Sequence, residues 1–354
     1  MNKPVRVHLR VPGTAPMDRL MSLIQDVEAA GFDGAGILDS QLLSRDTFVT
    51  LGQAATHTSR LLLFPAVTNP FTRHPSVLAS AIQTVEELAP GRVKLVVGTG
   101  YTSASTIGRR PATLAEMRAC FRTVKALLAG EAVDFAGTSG RLGYASGRPI
   151  PLLMAASGPK AIEVAGEIAD GVLLLVGCHR GIVETALELL DRGARRAGRR
   201  LEDLEIIWAV RTATAATTAA ARRRARPTAV HWGILRWGGY WLEPAGLHFP
   251  KLEVPESVWK IYPDLSHAHD WEAAIAATTF VPDEIVARLC DAMGLIGTPA
   301  DCAERIVEMT KLGVENLYLM PLETFALPVP EIVAFRDVVF PALRAAGLSG
   351  RAGV

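Results

Sequence analysis

Cysteine is scarce. The 354 residues hold four, Cys120, Cys178, Cys290 and Cys302, widely scattered and without a Cys-x-x-Cys pair. That spacing argues against a zinc-thiolate centre or a disulfide framework and fits reduced thiols in a cytosolic protein. Aromatic residues make up only 6% of the chain, too few for a base-stacking platform. The formal net charge of +1 offers no electrostatic case for a nucleic acid or a membrane surface. No stretch is apolar for as many as 18 residues, and the N-terminal MNKPVRVHLRVPG reads at once as a strand rather than a signal-peptide core. These absences lead to the expectation of a soluble, cytoplasmic protein with neither nucleic acid nor membrane as partner.

What is present is a regular rhythm. Short apolar runs, Val5–Val11, Gly34–Leu38, Leu61–Val67, Val93–Gly98, Ile150–Ala155, Gly171–Val176, Leu204–Val210 and Val314–Met320, alternate with amphipathic stretches that read as helices. The runs are apolar at nearly every position, the mark of parallel strands covered on both faces. Eight strand–helix units predict a TIM (β/α)8 barrel forming a single domain over 1–354, with an open doubly wound sheet as the alternative. The rhythm breaks after strand 7. Residues 211–280 form an insertion with a basic run, Arg222–Arg226, and the stretch VHWGILRWGGYWLEPAGLHFP, which holds three of the six tryptophans. A long insertion late in a barrel suggests a lid, a substrate wall or an oligomer contact, with plain solvated decoration as the remaining reading, and a homodimer or higher homo-oligomer is expected. Trp237, Trp241 and His248 are its candidates for touching a substrate. The His-x-His of SHAHDW has no carboxylate motif to complete a metal site, so none is expected.

The stretch LVVGTGYTSASTIGRRPA, residues 95–112, sits at the end of the fourth strand. No Lys-Ser/Thr pair follows its glycines, so it is not a P-loop, and the spacing of Gly98, Gly100 and Gly108 is not that of a dinucleotide fingerprint. In a barrel it falls on the C-terminal face, where glycines let a flat ligand approach the backbone; an ordinary tight turn is the other reading. In AASGPKAI a strand gives way to a helix beginning at Pro159. The unpaired N–H groups of that helix make Ser157 and Gly158 candidates for holding a phosphate, with helix capping as the plainer alternative.

Five segments in order, GFDGAGILDS, VTNPFTRHP, ELAPGRVKLVVGTG with IGRRPA, PLLMAASGPKAIEVAGEIADGV and GTPAD, give the chain a resemblance to the bacterial-luciferase-like flavin- and F420-dependent oxidoreductases. It is most similar to the F420-dependent methylenetetrahydromethanopterin reductase branch. The resemblance implies a flavin or deazaflavin ring at the C-terminal face of the barrel. On that basis Asp39 and Ser40 meet the ring's polar edge. A non-prolyl cis peptide near Ala66–Val67–Thr68 backs the ring, with Val67, Thr68 and Asn69 as contacts. Thr99, Gly100 and Tyr101 touch ring and ribityl chain, while Ala156, Ser157, Gly158, Pro159 and Gly177 hold the phosphate.

F420 is the cofactor the resemblance implies, with FMN as the alternative. The first implies hydride transfer to or from a small organic substrate. The second implies monooxygenation with O2, with reduced flavin drawn from a partner reductase. A cofactor-binding barrel without catalysis is a further alternative. The chain also departs from the branch. Ser40 stands where some relatives carry histidine, Tyr101-Thr102 replaces acidic residues, and the first strand offers His8 and Arg10 where the reductases have a glutamate nearby. His8 and Asp39 are therefore the candidate catalytic groups, with a buried structural histidine as the other reading of His8.

Overall fold

The structure, a computed structural model, describes residues 4–236 and 239–348. Its contacts gather into two compact units. One comprises 8–174 and 189–207; the other comprises the described residues 4–7, 175–188, 208–236 and 239–348.

The first unit begins in β1 (Arg6–Val11) and continues through α1 (Met17–Ala29), β2 (Gly34–Ile37), α2 (Thr47–His57), β3 (Leu62–Pro65), α3 (Pro75–Leu88), β4 (Leu95–Val97), the short α4 (Tyr101–Ser105) and α5 (Leu114–Leu128). A small antiparallel hairpin, β5 (Val133–Phe135) and β6 (Thr138–Gly140), leads to β7 (Leu152–Ala156), α6 (Pro159–Ile168) and β8 (Gly171–Leu174). The helices form where apolar residues recur on one face. In α1 Leu20, Ile24 and Val27 are fully buried at helical spacing. Helix starts carry their own caps: Asp46 for α2, and a reciprocal Thr113–Glu116 box for α5. β2 pairs in parallel with β1 and with β3, and β7 with β4 and β8. Parallel bridges Leu63↔Val93 and Thr68↔Val97 join the β3 and β4 segments. Every residue of β2 and β8 is buried, as the unbroken apolar runs require.

The long α7 (Arg180–Arg196) leads into β9 (Glu205–Thr214). The second unit then holds α8 (Thr218–Val230), α9 (Gly239–Leu242), α10 (Glu256–Trp259), α11 (Trp271–Ala277), α12 (Asp283–Met293), β10 (Gly294–Gly297), α13 (Pro299–Thr310), β11 (Asn316–Pro321), α14 (Val329–Ala334) and α15 (Phe340–Ala345). β10 and β11 each pair in parallel with β9. The strand order β3-β2-β1-β11-β9-β8-β7-β4, its ends joined by the β3–β4 bridges, is that of a (β/α)8 barrel.

Two elements escape the sequence rhythm. β10, four residues, follows α12 with no intervening turn, and α4 occupies a stretch too short to show a period. The insertion is helical and differs slightly in extent from 211–280: β9 runs on to Thr214, and helices continue to Met293. Pro227 lies inside α8, and after it the backbone widens into a π-helical stretch, His231–Arg236. The basic run is spent internally. Arg222 pairs with Asp291 at 2.8 Å, Arg224 with Glu323 at 2.9 Å, and the buried Arg226 with Asp283 at 2.5 Å.

Candidate active site

The site residues of the first unit collect just beyond the C-terminal ends of its strands. Asp39 follows β2 by two residues, is 4% exposed, and has both carboxylate oxygens engaged. Gln41 Nε2 donates to Oδ1 at 3.0 Å and Arg73 Nη1 to Oδ2 at 2.6 Å. Arg73 reaches with its other arm to Asp46 and lies over the Phe48 ring, 5.0 Å from its centre. Burial pushes the Asp39 carboxyl above its ordinary value, and the Arg73 guanidinium opposes that rise. The Thr68 hydroxyl beside it favours the carboxylate without making a bond of full geometry. Ser40 is half-buried, its N–H donating to Ser44 Oγ at 3.1 Å.

Past β3 the Ala66–Val67 peptide is cis. Val67 leans on Gly98: a Cβ at that glycine would stand 2.9 Å from Val67 Cγ2, so only glycine lets the segment approach β4. Thr68 and Asn69 are fully buried. The Asn69 side chain is committed, with Nδ2 donating to Ser103 Oγ at 2.9 Å and Oδ1 accepting from the N–H groups of Phe71 and Thr72 at 3.0 and 2.9 Å. The structure thus gives the amide to the turn that carries Pro70. Gly100 has φ +83° and its α-carbon faces Asn69, leaving no room for a side chain. It opens α4, so Thr99 is half-buried and Tyr101 is 40% exposed. Gly108, φ +69°, turns the chain, and Arg110 pairs with Glu116 at 2.8 Å next to the cap of α5.

At β7 the chain passes from buried Ala156 through exposed Ser157 to Gly158, which precedes α6 with no side-chain cap. A Cβ on Gly158 would meet nothing within 4 Å, so the start of α6 is open in front of Pro159.

His8 lies elsewhere in the first unit. It pairs with Gly34, its ring packs edge-on to Phe64 at 5.7 Å, and it is 1% exposed. Gly34 is three residues before the end of β2, which puts His8 about 10 Å down the strands from the Ile37 level at roughly 3.3 Å per residue. The register therefore does not bring His8 to Asp39.

In the second unit Gly177 has φ +120° and precedes Cys178, whose N–H donates to Ala292 O at 2.8 Å. Trp241 is buried and His248 exposed; Trp237 lies outside the described residues. His267 Nδ1 is 2.9 Å from both oxygens of Asp264, while His269 packs against Tyr262 and Phe325. No group of three or more metal-ligating side chains occurs among the described residues.

Sequence reasoning missed Arg73, Gln41 and Thr72. Arg73 stands in the quoted VTNPFTRHP segment, yet its partner Asp39 is 34 residues away and nothing local announces the pair. Three buried polar atoms beside Asp39 and Arg73 lack a partner: Gln41 Oε1, Thr68 Oγ1 and Thr72 Oγ1. Such atoms cost about 1–3 kcal/mol each unless a ligand or water meets them. Together with the glycine-cleared backbone at Gly98, they fit the polar edge of a flat heterocycle.

Residues 4–316 match the model of the luciferase-like monooxygenase family. The chain belongs to that family, and it is an enzyme of its oxidoreductase class. The 5,10-methylenetetrahydromethanopterin reductase of Archaeoglobus fulgidus is 30% identical over 299 residues, covering 82% of this chain and 85% of its own. The F420-dependent glucose-6-phosphate dehydrogenase of Beutenbergia cavernae is 35% identical over 249 residues, 62% of this chain and 70% of its own. The solved F420-dependent tetrahydromethanopterin reductase of Methanopyrus kandleri superposes with a TM-score of 0.77 at 22% identity, over 96% of this chain and 99% of that one. That likeness bears on the fold, which is a (β/α)8 barrel in both.

Proposed function

We propose that this protein is an F420-dependent oxidoreductase acting on a small organic substrate. The observation that carries the reading is the cluster at Asp39, a buried carboxylate flanked by unpartnered Gln41, Thr68 and Thr72 oxygens. Its relatives of similar sequence include an F420-dependent dehydrogenase. Bound there, F420 would supply a two-electron hydride carrier.

The chain's own residues do the rest. Asp39 accepts from a ring N–H, and the Thr68 and Thr72 hydroxyls and the Gln41 carbonyl supply further donors and acceptors to the ring's polar edge. Val67, Thr99, Gly100 and Tyr101 line the approach to the ring, and the uncapped N–H groups of Gly158 and Lys160, on either side of Pro159 at the start of α6, hold the phosphate, assisted by Ser157.

A second reading, FMN-dependent monooxygenation with O2, draws on the family's description as luciferase-like monooxygenases. Titration of the purified protein with F420 and with FMN, followed by fluorescence, separates the two. Tight binding of F420 with substrate turnover supports the first, tight binding of reduced FMN with oxygen consumption the second, and binding of neither refutes both.

A further inference from the structure

Arg73 has no role in the cofactor contacts proposed above, yet it is the cation against the buried Asp39. The Asp39 side chain is 2% exposed, that of Arg73 13% and that of Asp46 47%. Asp46 is itself held in place: its Oδ1 accepts from the N–H groups of Phe48 and Val49 at 2.9 and 3.0 Å, the cap of α2. Arg73 spans the two acids with separate arms of one guanidinium, while Phe48 covers its face. A rigid, forked cation fixes the direction of both bonds; the ammonium of lysine, a point charge on a flexible stem, does not. The first turn of α2 is thereby connected through Asp46 and Arg73 to one oxygen of Asp39, and Gln41 secures the other.

Each Asp39 oxygen keeps a lone pair beyond these bonds, so the carboxylate can still accept from a ligand. We propose that Arg73 is the positioning residue of this site, holding the Asp39 carboxylate ionised and in one orientation so that it accepts a hydrogen bond from a ring N–H of the bound cofactor. The inference rests on the assignment of Asp39 to the cofactor. The charged groups acting on Asp39 are Arg73, which favours the carboxylate, and Asp46, which disfavours it; Gln41 and Thr68 are neutral. Without Arg73 the carboxyl would sit buried beside one acid with no cation. It would hold its proton to higher pH, and a protonated carboxyl presents a donor where the ring N–H needs an acceptor.

The test measures the F420 dissociation constant from pH 6 to 9 for the wild type and for Arg73→Met, Arg73→Lys and Asp39→Ala. In parallel, the Asp39 carboxyl of the cofactor-free protein is titrated by NMR with carboxyl-labelled aspartate, assigned with Asp39→Asn. For Arg73→Met the Asp39 titration should move upward. Affinity should be weaker at pH 6 than at pH 9, by about tenfold for each unit by which the carboxyl's new pKa exceeds pH 6, and should recover as pH rises. Arg73→Lys should retain the wild-type titration but bind more weakly at every pH. Arg73→Gln, which keeps a donor toward the buried acid, replaces Arg73→Met if the latter does not fold. An unmoved Asp39 titration, or an Arg73→Met loss of affinity equal at all pH values, overturns the proposal. An unchanged dissociation constant in Asp39→Ala overturns instead the assignment of Asp39 to the cofactor, whatever the NMR titration does.

Discussion

Asn69 separates two accounts of the segment after β3. The resemblance makes its amide a contact to the ring, whereas the structure spends that amide on Ser103, Phe71 and Thr72. Asn69→Ala would strand two backbone N–H groups and leave Ser103 without its donor. The residue is fully buried, but Phe71 and Thr72 are half-buried, so water can meet part of the loss. At about 1–3 kcal/mol for each buried group left unmet, a total near 3 kcal/mol is expected. The chain has 354 residues; at roughly 2.1 cal/mol/K for each, the entropy of unfolding is about 0.7 kcal/mol/K, and the midpoint should fall by about 4 °C if unfolding is a single transition. Ser103→Ala removes only one of the three bonds and should cost about 1 kcal/mol. The double variant should cost less than the sum of the two, since both single changes break the same contact. Urea denaturation and differential scanning calorimetry of the four proteins measure this. If Asn69→Ala melts within half a degree of the wild type while losing cofactor affinity, the amide belongs to the ligand and the turn account is wrong.

Three further outcomes are expected. Asp39→Ala should weaken cofactor binding by about 1–3 kcal/mol, read by fluorescence titration; an unchanged constant removes Asp39 from the site. Gly158→Val has open space around its new Cβ, so stability should hold while cofactor affinity falls, because the side chain would stand where the phosphate approaches α6. Equal affinity in that variant would move the phosphate elsewhere. His231 is buried, and burial pushes its imidazole down to about 4 from an ordinary 6.5. The unfolded chain therefore takes up the proton first, so stability is highest above pH 6.5 and declines by roughly 3 kcal/mol as pH falls toward 4. His231→Gln should flatten that decline in urea midpoints compared at pH 7.5 and 4.5; an unchanged slope would assign it to other groups.

Much of the architecture was legible because parallel strands buried on both faces leave a continuous apolar signature, and all eight such runs became strands of the barrel. β10 and α4 were illegible for the converse reason: four or five residues do not span enough turns or alternations to declare a period. The site divided along similar lines. Positions set by their distance from a strand end, such as Asp39 after β2 and Gly158 before α6, could be named from the chain alone.

The sequence by itself determined the eightfold alternation, the family and the glycines that clear backbone at 98 and 100, since each depends on residue type and order within short windows. Only the tertiary structure decided that Asp39 is held by Arg73, that Asn69 serves its own turn, and that His8 lies well down the strands from the rim. Those outcomes depend on strand register and on partners that can be 34 residues apart along the chain. Such distances close only when the strands pair, so no local pattern of side chains encodes them.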